Sequence, residues 1–251
     1  MNRIESVKNP KVKQWKKLHT KKGRDAEKQF ILEGTHLIEE ARTSGIVPEE
    51  LIISEEYDVP KSWSDWQVPI TYVTDRVMVE LSETRTPQGV IAICQQFEHL
   101  LAPKKGKYLF LDAVQDPGNV GTIIRTADAA GMDGVVLGDG SVDLYNGKVI
   151  RSTQGSLFHL PIIRGNLNEW VTNMKTLEIP VYGTALENGR DYNEVETTSS
   201  YALIVGNEGE GVSKELLKQT DLNLYVPIYG KAESLNVAIA TAILIYGLRN
   251  Q

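Results

Sequence analysis

The 251-residue sequence predicts an α/β protein: a parallel sheet with crossover helices in its second part, preceded by a smaller α/β domain. Three observations predict it. Beyond about residue 105, apolar runs of four or five residues alternate with helix-like patterns, the rhythm of strands joined by helical crossovers. Within each run consecutive positions are apolar, so both faces are buried, as in a parallel sheet. The first hundred residues lack this rhythm and mix short strands and helices. The stretch HLLAPKKGK, His99 to Lys107, reads as a linker, which sets the domains at 1–98 and 105–251.

In the first part Lys11 to Leu18 reads as a helix and Phe30 to Leu32 as a short strand. His36 to Thr43 (HLIEEART) is a helix stopped by Gly45. After a turn at Pro48, Leu51 to Ser54 and Ile70 to Val73 are strands. Asp75 is placed to cap a helix running to about Leu81, with Val77, Val79 and Leu81 apolar. Val90 to Cys94 (VIAIC) is the next strand. In the second part the strands are YLFL (Tyr108–Leu111), GVVL (Gly134–Leu137), LPII (Leu160–Ile163), IPVY (Ile179–Tyr182), YALIV (Tyr201–Val205) and LNLYV (Leu222–Val226). The final helix, Ser234 to about Leu248, is apolar nearly all round, as in a helix buried against a second subunit. Its stripes are Ile239, Ile243, Tyr246 and Ala238, Ala242, Ile245.

Charge and composition narrow the function. The single cysteine, Cys94, excludes an intrachain disulfide and a thiol-rich metal site. His19, His36, His99 and His159 stand in no metal-ligand spacing, so no metal is expected. With no apolar leader and no apolar stretch of spanning length, a cytoplasmic protein without a membrane partner is expected. Residues 1–28 hold ten Lys/Arg against three acids, a net of +7, which leaves −13 on the rest. On charge alone that segment reads equally as a polyanion-binding end or as a solvated helix face.

Three loops concentrate polar residues and glycines beside buried strands. The first, Asp116 to Gly121 (DPGNVG), suits a type II turn whose glycines bare a row of N–H groups before the helix TIIRTADAAG. On that helix Arg125 and Asp128 lie off the apolar face and could pair. The second, Gly206 to Ser213 (GNEGEGVS), comes after a buried strand at the end where open α/β sheets bind ligands, and Ser213 can cap the next helix. In the third, Pro227 closes a strand, and Ser234 and Asn236 open the final helix. Taken alone, each also reads as an ordinary strand–helix connection. Walker A is absent, because Gly147-Lys148 is followed by Val149. So are G-x-G-x-x-G after a strand and a G-x-S-x-G elbow.

Together and in this order, the loops resemble the motifs of the SpoU/TrmH group of RNA methyltransferases in the SPOUT superfamily. N-x-G-x-x-x-R stands as Asn119-Val120-Gly121-Thr122-Ile123-Ile124-Arg125, and G-x-E-x-x-G as Gly206 to Gly211. The third motif stands as Val226-Pro227-Ile228 followed by Ser234-Leu235-Asn236-Val237. The resemblance covers about residues 105–251. A looser one, on Gln29–Gly34 and Thr86–Val90, likens the first part to a ribosomal-protein-like substrate-binding domain.

The resemblance implies a knotted sheet, with the C-terminal segment threaded through a loop as a trefoil, which connection rules would not predict. It further implies a cytoplasmic homodimer that transfers a methyl group from S-adenosylmethionine to a ribose 2′-hydroxyl. The RNA is expected to be ribosomal; tRNA, or a non-catalytic RNA-binding role, is the alternative. Implied catalytic residues are Asn119, Arg125, Glu208, Ser234 and Asn236. Implied cofactor-binding residues are Thr184, Gly206, Val226, Ile228 and Leu235.

Overall fold

The structure, a computed structural model, describes residues 2–196 and 198–249. The chain divides into two compact units: the chain up to Phe97 with Asp143–Phe158, and Glu98–Val142 with the chain from His159 onward.

The first unit has strands β1 (Asn2–Ile4), β2 (Gln29–Glu33), β3 (Glu50–Ser54), β4 (Ile70–Val73) and β5 (Val90–Gln95) in the order β1-β4-β3-β5-β2. β1, β4 and β3 run parallel, whereas β5 is antiparallel to β3 and to β2. Its N-terminal helices are α1 (Pro10–Lys17), α2 (Lys21–Glu27), α3 (Thr35–Thr43) and α4 (Asp75–Leu81). Asp75 lies within α4 rather than capping it: Thr74 holds the cap position, and the Asp75 carboxylate accepts from the Ser54 hydroxyl. The buried α4 face is Val77, Met78 and Leu81, while Val79 is exposed.

The second unit is a seven-stranded, all-parallel sheet. Its elements begin with β6 (Lys107–Asp112), α5 (Pro117–Ala129) and β7 (Gly134–Leu137). The chain then forms α6 (Gly147–Thr153) in the first unit and returns as β8 (Ile162–Arg164) and α7 (Leu167–Thr176). β9 (Val181–Thr184), β10 (Arg190–Asp191), β11 (Tyr201–Gly206), α8 (Lys214–Leu217), β12 (Leu222–Tyr225) and α9 (Val237–Gly247) come next. The order is β10-β12-β9-β11-β6-β7-β8. Tyr108, Phe110, Val136, Val181, Ala202 and Ile204 pack one face of this sheet against Trp170, Val171 and Met174 of α7.

Residues 143–158 lie inside the 105–251 stretch by sequence but fold with the first unit. Arg24, 3% exposed, donates to Asp143 at 2.6 and 3.0 Å. Tyr145 packs on Phe30, and its hydroxyl bonds the Phe97 backbone. Arg151 (3.1 Å) and His19 (3.2 Å) both meet the Glu83 carboxylate. Their hydrogen bonds, the His19 bond foremost, outweigh partial burial and hold the Glu83 pKa at about 2.

Candidate active site

The loops at the C-terminal ends of β9, β11 and β12 surround a cavity of about 540 Å³. Its walls include Thr184, Gly206, Val226, Ile228 and Leu235, with Glu208, Ser234 and Asn236.

Local sequence explains each wall. After β6, Ala113 turns the chain in a left-handed conformation, φ 54°. The N–H groups of Gln115 and Asp116, two and three residues on, then reach the Glu208 carboxylate at 3.2 and 3.0 Å. Pro117 starts α5, and Asp116 caps it by accepting from the Asn119 N–H at 2.9 Å. The expected type II turn with its glycine row is therefore not formed, since the helix begins three residues before Val120 and absorbs both glycines. At the end of β11 a side chain on Gly206 would strike the backbone of Gly211 and Val212 at 2.1 Å, so only glycine fits. Ser213 heads α8 but makes no side-chain cap bond; its N–H donates to Asp112 at 2.7 Å instead.

The opening of α9 also differs from expectation. Asn236 is the cap, accepting from the N–H groups of Ala238 and Ile239, and Ser234 stands exposed in the preceding loop. The Asn236 side-chain N–H donates to the Asn119 side-chain oxygen, Oδ1, at 2.9 Å. The Asn119 side-chain N–H donates in turn to Glu208 at 3.0 Å. Asn119 thus bridges Glu208 and Asn236 of the cavity wall, and both ends of its side-chain amide are engaged. Partial burial pushes the Glu208 carboxyl up. The hydrogen bonds from Asn119 and from the Asp116 and Gln115 backbone outweigh this and hold it below the usual carboxylate range.

Arg125 is exposed on α5, outside the cavity lining, with no hydrogen bond or ion pair to another described residue. The pairing with Asp128 does not occur; Asp128 faces His159 at 3.2 Å. Leu186, Ala240 and Leu244 also line the cavity. Sequence reasoning missed them: Leu186 belongs to no motif, and the helical pair reads simply as core.

On α9, Ala238, Thr241, Leu244 and Ile245 are buried, whereas Ile239 and Tyr246 are 52% and 42% exposed. The helix is therefore open on one stripe within a single chain. In the first unit the basic segment is partly neutralised: Lys11 meets Glu50, Lys16 meets Glu80 and Lys21 meets Asp25. Lys13 and Lys17 are exposed on α1 without a carboxylate partner among the described residues. No helix among those residues is long and apolar enough to cross a membrane.

Residues 106–246 match the SpoU rRNA Methylase family, and residues 9–92 match the MRM3-like substrate binding domain. The chain is 53% identical to the 23S rRNA (guanosine(2553)-2'-O)-methyltransferase RlmP of Bacillus subtilis, over 99% of this chain and 100% of that one. It resembles the AdoMet-bound rRNA methyltransferase from Sinorhizobium meliloti with a TM-score of 0.89 at 32% identity, covering 99% of this chain and 97% of that chain. Against the SpoU methyltransferase AviRb from Streptomyces viridochromogenes, in complex with AdoMet, the TM-score is 0.86 at 27% identity, covering 97% and 98%.

Proposed function

The chain belongs to the SpoU rRNA methylase family, and from that premise we propose that it methylates the 2′-hydroxyl of a guanosine ribose in 23S rRNA, the class of target its Bacillus subtilis relative is named for. S-adenosylmethionine is the donor. The observation that carries this reading is that Asn119 hydrogen-bonds both Glu208 and Asn236 of the cavity wall, one residue from each family motif.

The cavity fits the donor in size and chemistry. Its volume lies within the range typical of small-molecule sites. Its wall includes close-packed glycine backbone, where Gly206 admits no side chain, and apolar Val226, Ile228 and Leu235. These residues and Thr184 hold the donor. When bound, it supplies an electrophilic methyl group.

The chain's own residues do the rest. Arg125 keeps its charge at any working pH, so it is not the base. It grips the phosphate of the target nucleotide and stabilises negative charge growing on the ribose oxygen as the proton leaves to water. Its exposure, with no partner to compete, supports this role. Glu208 and Asn119 hold the three loops in register. Asn236 fixes the start of α9, and the Ser234 hydroxyl orients the ribose.

The first domain, residues 1–98, binds RNA, as the substrate-binding match and the free lysines of α1 support; of residues 105–251, those outside 143–158 carry the methyl-transfer domain. The C-terminal segment threads a trefoil knot. β12 is two strands from β11 in the sheet, yet α9 returns to pack on α5 and β11. The protein is a homodimer through the open stripe of α9. It works in the cytoplasm, where its RNA is.

Purified protein incubated with radiolabelled S-adenosylmethionine and unmodified ribosomal RNA tests the reading. Label on ribose is expected. Label on a base, or RNA binding without transfer, rejects it.

A further inference from the structure

Within the function proposed above, we infer that Asn207, outside the residues assigned to catalysis or cofactor contact, is a positioning residue that sets the shape of the cofactor loop through its side-chain amide.

The loop after β11 closes on itself. The Asn207 N–H donates to the Gly211 carbonyl at 3.0 Å, and the Gly211 N–H returns to the Asn207 carbonyl at 2.9 Å. The Asn207 side chain fills the turn between them. Its Oδ1 accepts from the N–H groups of Gly209 and Glu210 at 2.9 and 3.2 Å, so those two donors point inward. Its Nδ2 reaches out of the loop and donates to the Ala113 carbonyl at 2.9 Å.

The acceptor is as telling as the donor. Ala113 holds a left-handed backbone, φ 54°, which a residue with a Cβ adopts only where its surroundings hold it there. That conformation presents its carbonyl to Asn207, and the N–H groups of Gln115 and Asp116, two and three residues on, to Glu208. Two adjacent residues therefore grip one segment by opposite chemistry: Asn207 donates to its carbonyl, and Glu208 accepts from its amides. Among the common side chains only asparagine supplies both the acceptor that folds the turn and a donor at that reach. Aspartate keeps the first and loses the second; alanine loses both.

Asn207 lines the cavity, so its bonds decide which backbone groups of the loop face the cofactor. The consequence is specific. With Asn207→Asp an ionised carboxylate faces the Ala113 carbonyl, and a protonated one can donate to it again. Glu208 is its chain neighbour, and Asp112, Glu210 and Lys214 share a second cavity wall with it. The three carboxylates and the facing Ala113 carbonyl favour the protonated form of an introduced aspartate, against the Lys214 ammonium and the Gly209 and Glu210 N–H groups, so acid should restore the lost donor.

The test compares wild type, Asn207→Asp and Asn207→Ala by calorimetric binding of S-adenosylmethionine at pH 7.5 and 5.0. Hydrogen exchange of residues 206–213 in the ligand-free proteins, and thermal unfolding, accompany it. Asn207→Asp should bind at least about tenfold more weakly than wild type at pH 7.5 and within about threefold at pH 5.0. Asn207→Ala should be weakened equally at both. In both variants the loop should exchange faster at pH 7.5, with unfolding temperatures close to wild type. Wild-type affinity for Asn207→Asp at pH 7.5, a deficit unchanged by pH, or unaltered loop exchange overturns the inference. So does loss of the whole fold in both variants. A wild type that does not bind S-adenosylmethionine rejects the cofactor reading, while loop exchange still decides the role of Asn207.

Discussion

Asn119 and Glu208 share a 3.0 Å hydrogen bond across 89 residues of sequence. The same Asn119 amide accepts from Asn236 at 2.9 Å, so one side chain joins all three motif loops. Asn119→Asp removes the donor and sets a second carboxylate against Glu208. Methyl transfer should fall at least ~100-fold, a loss of about 2.7 kcal/mol. Asn119→Ala should cost less, because Glu208 keeps its bonds from the Gln115 and Asp116 backbone. Single-turnover rates of the two variants check this order; equal rates would show that the bond to Glu208 does not matter.

The lysines of α1 separate into two kinds. Lys11 and Lys16 are paired with Glu50 and Glu80, whereas Lys13 and Lys17 have no such partner among the described residues. Lys13→Gln with Lys17→Gln should flatten the salt dependence of RNA binding by up to about 0.9 log units per lost contact on duplex-like RNA. Lys11→Gln with Lys16→Gln should flatten it less. Filter binding over a salt series distinguishes the pairs, and an unchanged slope in the first pair would make α1 a solvated face.

Acid should weaken the first unit through Glu83. Its carboxyl titrates near 2 in the folded chain, against an ordinary 4.5. A depressed pKa gives stability that is complete above about pH 4.5 and is lost as pH falls toward 2. The Glu83 side chain is 34% exposed, so solvent screening reduces the contribution to about 1 kcal/mol. Glu83→Gln should be less stable than wild type at pH 6, and the difference should shrink to nothing near pH 2. Urea unfolding followed by tryptophan fluorescence reads this, since Trp15, Trp63 and Trp66 lie in this unit.

The open stripe of α9 predicts the assembly. Ile239→Asp or Tyr246→Asp should give a monomer in sedimentation, because an unpaired charge resists burial. Cofactor affinity should fall with it, as Leu235, Asn236 and Val237 at the start of this helix line the cavity. A wild type that sediments as an active monomer at micromolar concentration would contradict the dimer.

Much of the second sheet was legible in the sequence because both-face burial leaves an unbroken apolar run. Gly134–Leu137 and the start of Tyr201–Gly206 coincide with the expected strands. What resisted reading depends on partners far along the chain. Pro117-Gly118 suits a turn or a helix start equally, and the Asp116 carboxylate on the Asn119 N–H decides for the helix. Ser213 has a capping side chain, yet Asp112, 101 residues away, takes its N–H. The placement of 143–158 turns on Arg24 meeting Asp143 across 119 residues. For the site, the motif residues were visible, but the hydrogen-bond order among Glu208, Asn119 and Asn236 was not, since spacing carries no orientation.

Whether the chain is a 23S rRNA ribose methyltransferase is decided by mapping ribose methylation in total ribosomal RNA from cells with the intact gene, without it, and with Arg125→Ala. One 2′-O-methylguanosine in 23S rRNA should be present with the intact gene, absent without it, and reduced more than tenfold by Arg125→Ala, a barrier increase above ~1.4 kcal/mol. Because Arg125 is exposed and unpartnered among the described residues, the variant should fold and bind S-adenosylmethionine as wild type does. An unchanged methylation map on loss of the gene, or full methylation with Arg125→Ala, would contradict that assignment.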